Sequence, residues 1–164
     1  MNLFKDFVEG VASGFCSAVA ERSPGSSAGD VVRTCCGQLG WSIDERLNAN
    51  EVCLHFNDPL VGIRKVVVGI GDHGTIVAFT VFSAVCIQSQ QVPANVLGYL
   101  LQRNSQLLIA WQMCVRDSGE VAFSITYCAL AAGIDPGVFK MLCETMVKEA
   151  HEFDAKMDEA GLLR

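Results

Sequence analysis

The strongest constraint on the fold of this chain is a pair of apolar segments that only four residues separate. Residues 63–70 and 75–86 are rich in β-branched and aromatic side chains, which favour strands, and Gly71-Asp72-His73-Gly74 lies between them. A connection this short joins antiparallel neighbours in a sheet. Residues 106–116 and 120–131 repeat the arrangement around Asp117-Ser118-Gly119. The sequence therefore predicts an antiparallel sheet built from hairpins.

The first hairpin also contains the letters of a dinucleotide-binding motif, G-x-G-x-x-G, at residues 69–74. In such a site a helix follows the glycines, and its N-terminus binds the pyrophosphate. Here a strand pattern follows instead, and no acidic residue stands near position 90 to bind a ribose. We interpret the glycines as turn residues and expect no cofactor.

Three helices are predicted around the strands, each with a start signal and a stop signal. They are a helix over 31–39 between Asp30 and Gly40, a helix from Pro93 to about residue 102 that Asn104 ends, and a long helix from Asp135-Pro136 to Gly161.

Two further segments read as strands. Residues 41–47 form at most a short strand, and residues 51–56 alternate, with Cys53 and His55 on one face. The predicted fold is α+β, an antiparallel sheet flanked by helices in the order α-β-β-β-α-β-β-α, with an extra N-terminal helix.

The beginning of the chain is predicted to stand apart from this domain. Residues 1–22 form an amphipathic helix whose apolar stripe includes Phe7 and Phe15, and residues 23–29 read as a flexible linker. The domain itself then spans residues 30–164. An apolar helix face serves equally well as a core element or as a docking surface for another chain, and both readings stay open.

The charge balance excludes several classes of partner. Lysine and arginine total 12 against 18 acidic residues, and the densest basic pair is Arg64-Lys65. Nucleic-acid binders need a basic cluster, so we expect no nucleic-acid partner and no anionic membrane surface. The uncharged run over 74–87 is shorter than the roughly 20 residues of a spanning helix. The N-terminus lacks the positive start of a secretory signal, and the cytoplasm is the expected location.

Eight cysteines and three histidines raise the question of metal or thiol chemistry. No C-x-x-C and no H-E-x-x-H occurs, and most cysteines lie inside apolar runs. Cys86 or Cys128 could in principle pair with His55 across the sheet, but no basic residue flanks either thiol. We therefore expect core cysteines, no metal site and no catalytic residue.

An excess of apolar side chains points to protein binding. Hydrophobic residues make up 51% of the chain and charged residues 18%, which is more apolar surface than one sheet and a few helices readily cover. The predicted protein-binding residues are Phe79, Val81 and Phe82 on the central strand, Trp111 and Met113 on the next hairpin, and Phe7 and Phe15 in the first helix. The predicted function is a polypeptide-binding homodimer; the alternatives are a small-ligand-binding or Cys/His-dependent enzyme domain, or a structural subunit.

Several landmarks resemble the YbjN family and the broader type III secretion chaperone-like fold, over about residues 30–160. They are Arg64 to Val68 before a glycine turn, Val92-Pro93 opening a leucine-rich helix that Leu100-Leu101-Gln102-Arg103-Asn104 close, a strand with Trp111, the Asp117-Ser118-Gly119-Glu120 hairpin, and Gly133-Ile134-Asp135 before a long last helix. The resemblance implies an α+β domain that dimerises and binds another polypeptide without catalysis. Secretion chaperones hold extended segments of their clients along apolar grooves, and YbjN-like proteins are linked to bacterial regulation and stress responses. No catalytic residue is implied.

Overall fold

The computed structural model describes residues 27–71 and 74–163. The predicted helix over 1–22, with Phe7 and Phe15, and the linker as far as residue 26 lie outside the described residues. The predicted boundary at residue 30 falls inside the first helix that the structure describes, which begins at Ala28.

Six antiparallel strands form one sheet, in the spatial order β1-β2-β3-β4-β6-β5. The strands are β1 (Glu45–Asn48), β2 (Glu51–Asp58), β3 (Gly62–Ile70), β4 (Ile76–Gln88), β5 (Ala110–Val115) and β6 (Glu120–Leu130). Both predicted hairpins are present as β3–β4 and β5–β6. The sheet therefore has β1 and β5 as its two edges.

Three α-helices complete the domain: α1 (Ala28–Leu39), α2 (Ala94–Gln106) and α3 (Pro136–Glu159). Single 3₁₀ turns over Ser89–Gln91 and Ala131–Gly133 precede α2 and α3. The α+β class and the order of elements are confirmed. The short strand expected within 41–47 is β1, so four strands separate α1 from α2.

The start of α1 differs from the prediction. Ser27, and not Asp30, is the N-cap, because the Ser27 hydroxyl accepts a hydrogen bond from the Asp30 backbone N–H at 3.3 Å. Asp30 lies in the first turn, where its carboxylate interacts favourably with the positive end of the helix dipole. Gly40 ends the helix as predicted, with φ of +67°, a conformation that glycine adopts without strain.

The end of α2 also differs, since the helix continues through Asn104 to Gln106. The Asn104 side-chain amide does not compete for the backbone hydrogen bonds of its own helix, because it is bonded to the backbone of the next strand. Its nitrogen donates to the Trp111 carbonyl at 3.0 Å, and its oxygen accepts from the Trp111 N–H at 2.7 Å. The start of α3 is as predicted: Asp135 accepts from the Val138 N–H at 2.8 Å, and Pro136 is the first helical residue.

The core lies on one side of the sheet, which we call the helix side. Cross-strand pairing aligns a row of buried side chains on that side: Leu54, Val66, Val81, Ile125 and Trp111. Helix α3 packs on this row, with Phe139 at 5.3 Å from Phe79 and Phe153 at 5.3 Å from Phe123 between ring centroids. Helices α1 and α2 pack against α3 on the same side.

The opposite side of the sheet, which we call the far side, carries smaller and more polar residues. A row across it runs Glu45, Cys53, Val67, Thr80, Thr126 and Ala110. None of the three helices in the described ranges packs there. Four members of this row, Cys53, Val67, Thr80 and Thr126, are nevertheless buried.

Candidate functional site

Three of the predicted protein-binding residues belong to the core. Phe79, Val81 and Trp111 are all buried on the helix side. Trp111 lies 4.6 Å from Phe153 between ring centroids, and its indole N–H donates to Glu149 at 3.1 Å. Because a partner could reach these side chains only by opening the core, we assign them structural roles.

The other two described residues, Phe82 and Met113, are exposed, at 40% and 47%. Phe82 pairs with Ser124 and faces the far side, whereas Met113 pairs with Phe123 and faces the helix side. The sheet therefore separates the two residues, and they do not form one patch. Phe7 and Phe15 lie outside the described residues, so their predicted role stays a prediction.

The edge strand β5 changes character along its length. Antiparallel pairs alternate between those that exchange hydrogen bonds and those whose backbone groups point away from the partner strand. Trp111 is of the second kind, and the Asn104 side chain takes both its N–H and its C=O. By the same alternation, the backbone groups of Met113 and Val115 point outward, and no hydrogen bond from the described residues meets them.

The side chains at this open end of β5 are apolar. Met113 and Val115 face the helix side, yet 47% and 62% of their surfaces are exposed. Leu97 and Leu101 are exposed on α2, which packs against β5. We call Met113, Val115, Leu97 and Leu101 the β5 edge patch.

A second cluster of interest is a buried ionic network on the helix side. Arg64 is almost fully buried between Asp58, at 2.6 Å, and Asp154 of α3, at 2.8 Å. His151 adds a contact to Asp58 at 3.1 Å. Burial alone would raise the pKa of Asp58, but hydrogen bonds from Arg64, the Leu60 N–H and His151 lower it to about 2.

The network also holds an irregularity in β4. Between Phe82 and Cys86 three residues of β4 face one residue of β6. This bulge directs the Ser83 hydroxyl and the Ala84 N–H to the Asp154 carboxylate. Because every charged group in the network has a partner and the cluster is buried, its arrangement fits a structural tie between α3 and the sheet.

A comparable tie fixes α2. Glu149 of α3 is buried and receives a bidentate pair of hydrogen bonds from Arg103, besides the Trp111 indole. Burial alone would raise the pKa of Glu149, but the bonds from Arg103 and Trp111 lower it. The same contact raises the pKa of Arg103. This pair connects α2, α3 and the capped end of β5.

The third cluster lies on the far side beside edge strand β1. Glu45 pairs with Cys53, and strand alternation places Cys53 and His55 on the same face. A carboxylate oxygen, the thiol sulfur and an imidazole nitrogen of these residues lie within 4.8 Å of one another. The sequence showed that Cys53 and His55 share a face, but Glu45 joins them only through the β1–β2 register.

The charges around this cluster act on its thiol. Burial raises the pKa of Cys53, as do the nearby charges of Glu45 and Asp44, while Lys65 lowers it. Lys65 binds Glu45 at 2.7 Å, which lowers the pKa of Glu45 and raises that of Lys65. A buried thiol with a raised pKa is a poor nucleophile.

The other cysteine pairings considered from the sequence do not form. His55 lies on β2 and Cys128 on β6, so two strands separate them, a distance of about 14 Å at the usual strand spacing. Cys86 lies on β4, with β3 between it and His55. The seven cysteines in the described ranges are free thiols, four of them buried: Cys35, Cys36, Cys53 and Cys143. Burial also raises the pKa of Cys143.

Within the described ranges, no helix combines the length and the apolar character that crossing a bilayer requires. No family model matches this chain, and no curated protein matches its sequence. A structural comparison gives a clear similarity to the crystal structure of YbjN from E. coli, described as a proposed transcription regulator, with a TM-score of 0.59. The two share 13% sequence identity over 82% of this chain and 94% of that one. The fold is therefore YbjN-like.

Proposed function

We propose that this chain is a non-catalytic polypeptide-binding module, a chaperone-like or regulatory adaptor domain that binds an extended segment along the β5 edge patch. The observation that carries the proposal is the open end of β5. There, outward-pointing backbone groups coincide with exposed apolar side chains at Met113 and Val115.

An extended polypeptide can satisfy both features at once. Added as a further strand, it would hydrogen-bond to the backbone of Met113 and Val115 and place alternate side chains against the apolar patch. Exposed edges of this kind normally attract strands, and proteins block them where pairing is harmful. Here the Asn104 side chain blocks the β5 edge at Trp111 and leaves the edge open at Met113 and Val115.

The absence of catalysis is part of the proposal. The buried thiol of Cys53 has a raised pKa, which disfavours the Cys/His-dependent alternative. The YbjN-like fold supports an adaptor role only in general terms, because the neighbouring structure is described as a proposed regulator. The net charge of −6 favours a protein partner over direct contact with nucleic acid.

Self-association belongs to the same proposal. A second copy carries the same open edge, and two β5 strands related by a twofold axis would pair antiparallel and bury both edge patches. The homodimer is then the client-free form. When a client binds, its extended segment replaces the second copy at the β5 edge.

The experiment uses a short soluble peptide in which valine and lysine alternate. Such a peptide favours an extended strand, and its positive charge is attracted to the negatively charged protein. Binding to the labelled peptide is measured by fluorescence anisotropy, and the oligomeric state by sedimentation equilibrium. Val115→Lys places a charge on the open edge, and the matched control Leu130→Lys changes an exposed residue at the end of β6 on the far side.

We expect Val115→Lys to weaken peptide binding by at least about tenfold and to shift the dimer toward monomer, since a charge within the apolar patch beside an added strand opposes pairing. Leu130→Lys should leave both unchanged. Equal binding by the two variants, or no binding by the unaltered chain, would contradict the polypeptide-binding role. A monomeric unaltered chain that still binds the peptide would contradict the homodimer alone.

A further inference from the structure

We propose that Glu45, Cys53 and His55 form a binding site for a zinc-class divalent cation on the far side of the sheet. The three side chains supply a carboxylate oxygen, a sulfur and an imidazole nitrogen within 4.8 Å of one another. Thiolate and imidazole ligands favour zinc over magnesium or calcium, which prefer sites made of oxygen atoms alone. This inference is independent of the proposed polypeptide binding.

The spacing of the donor atoms fits tetrahedral coordination. Ligand atoms about 2.1 Å from a tetrahedral centre lie about 3.4 Å from each other. The distance between Glu45 Oε1 and His55 Nε2 is 3.3 Å. The Cys53 sulfur lies within 4.8 Å of both atoms, so it would have to move closer by at most about 1 Å to share one ion with them.

The imidazole nitrogen is a ligand atom whose present contact is poorly oriented. His55 Nε2 is buried, and despite its short distance to Glu45 it makes no hydrogen bond of acceptable geometry with any described residue. A buried nitrogen whose contact with a carboxylate is poorly oriented is not well satisfied, and a metal ion bound to both groups would satisfy it. This atom therefore gives a reason for a ligand beyond the mere proximity of three residues.

A cation already occupies the neighbourhood. The Lys65 ammonium binds the same Glu45 oxygen at 2.7 Å, and the Lys65 side chain is half exposed. We interpret this ammonium as a competitor that moves toward solvent when the metal binds. The arrangement shows that the cluster attracts positive charge, and it makes Lys65 a residue whose removal should strengthen metal binding.

The surrounding backbone holds the ligands in place. Asp44 accepts a hydrogen bond from the His55 N–H at 2.8 Å, and its own N–H donates to the Cys53 carbonyl at 3.0 Å. Cys53 enters the site as a thiolate and releases its proton to solvent. With three protein ligands, the fourth position belongs to water, and the metal links edge strand β1 to β2.

The test uses the full chain, purified without metal under reducing conditions, and cobalt(II) as the probe. Cobalt bound to a thiolate gives a charge-transfer absorption that oxygen and nitrogen ligands do not give. Zinc affinity is then measured by displacement of the bound cobalt. Cys53→Ser removes the thiolate, and the control Cys128→Ser removes another thiol of the far side.

We expect the unaltered chain and Cys128→Ser to bind one cobalt ion with the charge-transfer band, and Cys53→Ser to lose the band. Because Cys53 is buried and its variant could be unstable, Glu45→Gln provides a second measurement at a half-exposed position. It should weaken zinc binding by at least about tenfold, the lower end of the range for positioning groups of metal sites.

Lys65→Met keeps the length of the side chain and removes the competing charge. We expect it to bind zinc several-fold more tightly than the unaltered chain. The proposal is overturned if the unaltered chain gives no charge-transfer band. It is equally overturned if the band survives in Cys53→Ser, or if neither Glu45→Gln nor Lys65→Met changes the affinity for zinc.

Discussion

Replacing Asp154 by alanine should be among the most damaging single changes in this domain. The Asp154 side chain is fully buried and accepts hydrogen bonds from three groups: Arg64, the Ser83 hydroxyl and the Ala84 N–H. Without the carboxylate, Arg64 keeps only Asp58 and the Phe82 carbonyl as partners. The other two donors lose a buried acceptor.

Removing one member of a buried ion pair costs about 3–5 kcal/mol, because the remaining charge stays buried with fewer partners. The unpaired Ser83 and Ala84 donors place the expected loss for Asp154→Ala in the upper half of that range. Asp154→Asn retains the shape and part of the hydrogen bonding, so its loss should be smaller. Arg64→Met should cost at least as much as Asp154→Ala, because two buried carboxylates then face each other.

The assay is urea unfolding at neutral pH, followed by the fluorescence of Trp41 and Trp111. Asp158→Ala is the matched control, since Asp158 lies one turn further along α3 and is exposed. Its free energy of unfolding should change by less than about 0.5 kcal/mol. A loss below about 1 kcal/mol for Asp154→Ala would refute the reasoning, because it would mean that the network contributes no more than a surface ion pair.

Two further predictions concern Asp58 of the ionic network and the N-cap of α1. The pKa of Asp58, about 2 in the folded chain, lies below the value near 3.9 expected when unfolded, so its contribution is present above pH 4 and is lost as the pH falls toward 2. Urea titrations across this range should show about 2 kcal/mol less pH dependence in Asp58→Asn than in the unaltered chain, and parallel curves would contradict the assignment. Ser27→Ala removes the N-cap of α1 and should lower the free energy of unfolding by about 1 kcal/mol in the same assay, whereas an unchanged value would mean that Ser27 is not the effective cap.

The hairpins could be predicted because short connections leave little choice of topology. The residues at Asp117-Ser118-Gly119 and Asp135-Pro136 have local conformational preferences that the sequence displays directly. The cap at Ser27 was harder to identify, because it lies in a run of small residues that also reads as a linker. Asn104 likewise looks like a helix stop until its distant partner Trp111 is known.

The roles of single side chains depended on tertiary contacts. Arg64 and Lys65 read as one basic pair, yet alternation along β3 sends Arg64 into the core and Lys65 to the far side. The strand pattern correctly placed Trp111 and Met113 on one face. It could not show that α2 and Glu149 cover Trp111 while Met113 stays exposed.

The two edge strands of the sheet differ in length, regularity and charge, and these differences favour docking at β5. Strand β1 has four residues, a register irregularity and mostly exposed side chains, and the charges of Glu45 and Lys65 lie beside it. Short, irregular and charged edges resist the addition of a strand. Strand β5 has six residues in regular register and presents Met113 and Val115 beyond the Asn104 block. The Asn104 side chain satisfies the outward-pointing backbone groups of Trp111, but no comparable side chain in the described ranges satisfies those of Met113 and Val115. An edge that served stability alone would be expected to be blocked along its whole length. We therefore infer that the open part of β5 is where a polypeptide binds.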